Sequence, residues 1–131
     1  MSKLVVRLKY TGTAPVGDSA VYTIFSTVAT AAAGAGSVAA ALPRDWAVWS
    51  NVHSFHWDIK HSQAGTLKGY HSLDGGATWV QFYDTGSLTA PTYTDSGVVL
   101  VEGFRDFKFE WTNGGVAQAT WVVNMDVSVY P

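Results

Sequence analysis

The sequence predicts an all-β domain: a single antiparallel β-sandwich, jelly-roll-like, of about eight strands. Apolar residues recur two apart over long stretches, whereas a helix would place them three and four apart. Clusters of Gly, Pro, Asn, Asp and Ser separate those stretches. The 131 residues include six Trp, six Tyr and six Phe. At roughly 150–250 Å² each, these side chains fill a core without metal or disulfide staples.

Taken in order, Lys3 to Tyr10 alternates, with Leu4, Val6, Leu8 and Tyr10 on one face and Lys3, Arg7 and Lys9 on the other. Thr11 to Ser19 reads as a loop and Ala20 to Thr27 as a short strand. Thr27 to Leu42 is rich in Ala, but Gly34 and Gly36 each cost a helix about 1 kcal/mol. A broken helix, a loop and an extended arm ordered by a neighbouring subunit all fit, and loop or arm is the expectation for about 28–42. Trp46 to His61 is again strand, with Phe55, Trp57 and Ile59 opposite His56, Asp58 and Lys60. Thr66–Ser72, Thr78–Tyr83 and Gly97–Glu102 follow as strands, with Asp84 to Ser96 as a loop. The whole chain, 1–131, reads as one domain.

Val101 to Val129 organises the rest. Phe107, Phe109 and Trp111 share one face, as do Ala119, Trp121, Val123, Met125, Val127 and Val129. Between them Thr112-Asn113-Gly114-Gly115 offers residues that accept positive φ, so the stretch is expected to be a hairpin. Its core residues are Phe107, Phe109, Trp111, Trp121, Val123 and Met125.

Composition excludes several functions. There is no cysteine, hence no disulfide framework or thiol chemistry, and the net charge of −2 argues against a nucleic-acid footprint. No run suits a signal peptide or a membrane helix, so a soluble protein made in the cytoplasm is expected. His53 and His56 fall on opposite strand faces, which is wrong for a shared metal; His56 and His71 are the pair that neighbouring strands could join. Asp106 and Glu110, with Lys108 between them, read as a solvated sheet face rather than a glycosidase pair. No nucleophile elbow, phosphate loop or zinc-helix motif occurs. No enzyme, cofactor or metal is expected.

Ser72-Leu73-Asp74-Gly75-Gly76-Ala77-Thr78-Trp79 fits the S-x-D-x-G-x-T-W pattern of the Asp box. Its physics is local: the Asp74 carboxylate accepts N–H groups across the turn while Gly75 and Gly76 permit the curvature. Asp74, Gly75, Gly76, Asn113, Gly114 and Gly115 are therefore expected to be structural turn residues.

Gly65-Thr66-Leu67-Lys68-Gly69-Tyr70 leading into that box, Val101-Glu102-Gly103-Phe104-Arg105-Asp106-Phe107-Lys108, and Glu110-Trp111 through Asn113-Gly114-Gly115 to Ala117-Gln118 and Trp121 together resemble small β-sandwich virion proteins of tailed bacteriophages. The resemblance covers Trp57 to Val129. It implies a non-enzymatic, oligomeric role such as capsid decoration, on the surface of a virion assembled in a bacterial host. The partners it implies are the major capsid protein and sister copies, in a homotrimer, with no nucleic acid or membrane. Lys3, Arg7, Lys9, Ala31, Gly34, Gly36 and Val38 are the candidate interface. The alternatives are a carbohydrate- or receptor-binding fibre module, using Trp46, Trp49, Tyr70, Tyr83 or Tyr93, and a tail or connector component.

Overall fold

The computed structural model describes residues 4–10, 14–17, 21–27, 52–89, 93–103 and 106–129. These hold eight strands: β1 (Leu4–Lys9), β2 (Val21–Ser26), β3 (Val52–His61), β4 (Gly65–Ser72), β5 (Val80–Asp84), β6 (Tyr93–Leu100), β7 (Asp106–Asn113) and β8 (Trp121–Val129). The antiparallel pairs nest: β1 with β8, β2 with β7, β3 with β6 and β4 with β5. The chain is thus one long double strand, doubled back between β4 and β5. Rolling it up adds the pairs β3–β8 and β4–β7. The result is two four-stranded sheets, β1-β8-β3-β6 (sheet A) and β2-β7-β4-β5 (sheet B), which is the jelly-roll order.

The expected hairpin between β7 and β8 does not form. The two strands lie in different sheets and face each other across the core. The reason lies in their patterning. Each strand has one apolar face, and two such faces in a single sheet would still need a lid. As opposing walls about 10 Å apart, they cover one another. β8 begins at Trp121 rather than Ala119, because Ser62 Oγ accepts the N–H groups of Ala119 (2.9 Å) and Thr120 (3.0 Å).

Phe55 of sheet A and Phe109 of sheet B stack at 4.1 Å across the middle, with Phe25 against Phe55 and Phe107 at 5.2 Å each. Phe107, Phe109, Trp111, Val123 and Met125 are buried, together with Ile24, Ile59 and Leu67. Trp121 is only half-buried and packs against the edge of this cluster. It sits at the start of β8, where the sheets end, held edge-on by Tyr10 at 4.9 Å and near Trp111 at 6.2 Å. Burial, with Tyr22 beside it, pushes the Tyr10 phenol up to about 12.

β6 starts at Tyr93, four residues before the expected Gly97, and pairs without a break from His61↔Tyr93 to Ser54↔Leu100. Gly97 had marked a loop end in the sequence. Its lack of a side chain instead admits the Trp57 indole, whose Nε1 would lie 2.8 Å from an added Cβ.

Candidate interaction surfaces

The tip of the roll is the turn between β4 and β5, and the Asp box makes it. Ser72 Oγ donates to Asp74 Oδ1 at 2.7 Å and accepts the Gly76 N–H at 3.0 Å. Asp74 Oδ1 also accepts the Thr78 N–H at 2.8 Å. Gly75 and Gly76 take φ of 74° and 97°, the left-handed region that side chains disfavour. The Ser72 hydroxyl, then the Thr78 N–H, hold the Asp74 carboxyl down at about 2. Beside this turn a cleft of about 280 Å³ is lined by His71, Ser72, Leu73, Asp74, Thr78 and Val80. Leu73 and Val80 leave apolar surface exposed at its rim.

Asn113 to Thr120 is not a turn within a sheet but the link from β7 to β8 across the end of the sandwich. Neither Gly114 nor Gly115 adopts the positive φ expected of them. Gly114 is required for space instead: its N–H donates to Ala64 O at 2.9 Å, and a Cβ would come within 2.8 Å of that oxygen. The buried Asn113 Oδ1 accepts from Trp111 Nε1 (3.2 Å) and Gln118 Nε2 (2.8 Å). Asn113 Nδ2 donates to the carbonyls of Gly114 and Val116. Gln118 Oε1 accepts the N–H groups of Ser62 and Gln63, both at 2.9 Å. Nothing in the alternation marked Gln118 or Ser62. The available signal was position alone, Gln118 just past the Asn-Gly-Gly run and Ser62 at the head of the Ser-Gln-Ala-Gly turn.

His61, fully buried, extends this network: Nδ1 donates to Gln63 O at 2.8 Å, and Nε2 meets Asp95 Oδ2 at 2.5 Å. The other histidines are apart. His53 bonds Glu102 at 3.2 Å, His56 lies 3.4 Å from Asp58, and His71 packs on Phe82 in the opposite sheet from His56. Among the described residues no group of three or more metal-ligating side chains gathers.

The outer face of sheet B is not the fully solvated surface that alternation suggested. Lys108 Nζ lies 4.6 Å from the Trp79 ring centre, 5.4 Å from that of Tyr70 and 3.3 Å from Glu110 Oε2. Cation–π attraction and the ion pair fix this lysine against the sheet. Asp106 instead accepts from Thr27 Oγ1 at 3.0 Å, while Glu110 pairs with Lys108. Tyr83 packs on Phe109 and serves the core.

The outer face of sheet A carries Arg7, Lys9, His56, Asp58, Lys60, Asn124 and Asp126 in register. Arg7 and Lys9 are exposed, with Arg7 Nε 3.7 Å from Asp126, above a depression of about 360 Å³ that Asp58 and Asn124 also line. Lys3, Ala31, Gly34, Gly36 and Val38, with the whole segment 28–42 and both Trp46 and Trp49, lie outside the described residues. No helix among the described residues is long and apolar enough to cross a membrane.

No protein-family model matches the chain, and no curated protein is significantly similar to it. Among solved structures it is similar to PBSX exported protein XepA, with a TM-score of 0.68 and 17% identity. The match covers 96% of this chain and 38% of that one, so this chain spans well under half of its neighbour's length. At that identity the likeness shows the fold alone.

Proposed function

We propose that this chain is a non-enzymatic structural protein of a phage virion, a decoration protein that binds the outer shell of the head and joins neighbouring subunits. One observation carries the reading. The two motif turns within the resemblance to phage virion proteins, 72–79 and 113–118, direct their polar groups to the chain's own backbone. Asp74, Asn113 and Gln118 therefore act as fasteners, and recognition falls to the broad outer faces of the sheets. Such faces suit a partner that is itself a large surface, the major capsid protein, with sister copies alongside. Many weak contacts repeated over a shell then resist outward pressure by multiplicity.

Purified chain added to heads that lack it, with occupancy counted by cryo-electron microscopy, tests this. Saturable binding at a fixed site on each capsomer is expected. The exposed Arg7 and Lys9 should make it weaken with salt, since charges are screened within about 10 Å at 0.1 M. Binding to a glycan array or to tails, without binding to heads, would overturn the reading.

A further inference from the structure

Among the described residues four strands form the sheet edges: β1 and β6 in sheet A, β2 and β5 in sheet B. An edge exposes unpaired backbone N–H and C=O groups, and proteins block unwanted pairing there with charge, proline, bulges or shortness. Three of the four edges are blocked. β1 presents the exposed charges Arg7 and Lys9. β2 carries an extra residue, Ile24, where the register with β7 shifts between Thr23 and Phe25. β5 has only five residues and carries an extra one, Phe82, opposite the Gly69–Tyr70 step of β4.

Among the described residues, the stretch Ser96 to Leu100 of β6 has none of these devices. The eight residues of β6, YTDSGVVL, include no Lys, Arg or Pro, and its register with β3 is unbroken. Its one charge, Asp95, is engaged by His61. On the outer face Val98 and Leu100 are 65% and 66% exposed. β6 pairs only with β3 among the described residues.

We propose that β6 is a self-pairing edge: two copies of this chain join β6 to β6 antiparallel around a two-fold axis, making one continuous eight-stranded sheet from both copies of sheet A. The occupant is a second copy because the edge is self-complementary. With Val98 on the axis, Ser96 to Leu100 of each copy pair, and no charge lies in that stretch. Facing residues of paired strands share a side of the sheet. Val98 therefore meets its counterpart, and each Leu100 lies diagonal to the other copy's Val98, closing an apolar patch that one copy leaves open. The two-fold makes the contact isologous and closed, so it ends at a dimer instead of a fibre. This pairing stands on strand geometry and not on the virion reading; failure to bind heads would leave it intact.

The chain has no cysteine, so a single Val98→Cys reports the contact. Directly opposed residues of antiparallel strands have Cα atoms about 4.5–5.5 Å apart, within the usual range for a disulfide. Under mild oxidation Val98→Cys should become a covalent dimer at least about tenfold faster than Val116→Cys, a comparably exposed position outside the strands. In sedimentation equilibrium Val98→Lys should weaken self-association of the full chain at least about tenfold, with an unchanged circular-dichroism melt. Equal crosslinking rates at the two cysteines, or self-association untouched by the lysine, would overturn the proposal.

Discussion

The turn at 72–79 and the link at 113–120 look alike in sequence, each a polar Gly-Gly run between alternating strands, yet one folds back and the other crosses over. In the first, the acceptors are local: Ser72 and Asp74 bind N–H groups within four residues, so β5 returns beside β4. In the second, Asn113 also bonds locally, but Gln118 reaches far along the chain, to Ser62 and Gln63. The link is thereby tied to the β3–β4 turn at the end of the sandwich. A run of turn-forming residues shows where a strand stops. Where the next one goes depends on which backbone groups the polar side chains satisfy.

The largest way to break the comparison is through the core that both links enclose. Phe109 is fully buried and stacked on Phe55. Phe109→Ala should cost about 3–5 kcal/mol, enough to unfold a small domain, and urea denaturation would show it. A melt close to wild type would mean that β7 does not form a core wall.

Gln118→Ala comes next. It strips acceptors from two backbone N–H groups and a donor from Asn113, so a loss of about 1–3 kcal/mol is expected in the same titration. A neutral result would show that the link holds without its polar ties.

Glycine substitutions sharpen the contrast further. Gly114→Ala drives a Cβ to within 2.8 Å of Ala64 O, whereas Gly115 has nothing within 4 Å. The first should destabilise by about 1–3 kcal/mol and Gly115→Ala by less than about 0.5 kcal/mol. At the tip the reason differs: Gly75 has open space around it but φ of 74°, so Gly75→Ala should cost about 1 kcal/mol through strain alone.

The effect at Asp74, whose carboxylate is exposed, is also small, and it carries a pH signature. Its folded value, about 2, lies below its ordinary 3.8. The stabilisation is therefore fully present above about pH 4 and fades as pH falls through 2. Asp74→Ala should melt slightly below wild type at pH 7, and the gap should narrow across that window. A gap independent of pH would remove the charge from the account.

The sequence revealed strands wherever one face was continuously apolar, as in β3, β7 and β8, and it revealed the Asp-box turn because its bonds are local. It hid the start of β6, where Asp95, Ser96 and Gly97 have loop character. Asp95 is there for His61 and Gly97 for the Trp57 indole, and both partners are distant in sequence. Strand pairing was hidden for the same reason, since alternation fixes the face a strand buries but not its neighbour. The outer faces were legible only in part: Arg7 and Lys9 are exposed as their spacing implied, while Lys108 is held by Tyr70 of β4 and by Trp79 from the turn before β5.

Everything above depends on β7 and β8 lying in opposite sheets, and nuclear Overhauser contacts between backbone protons test that directly. The account predicts cross-strand contacts for Gly69↔Phe109 and Leu67↔Trp111 in one sheet, and for Trp57↔Met125 and Ile59↔Val123 in the other, with none between β7 and β8. A ladder of contacts joining β7 to β8 would restore the hairpin and contradict the jelly roll.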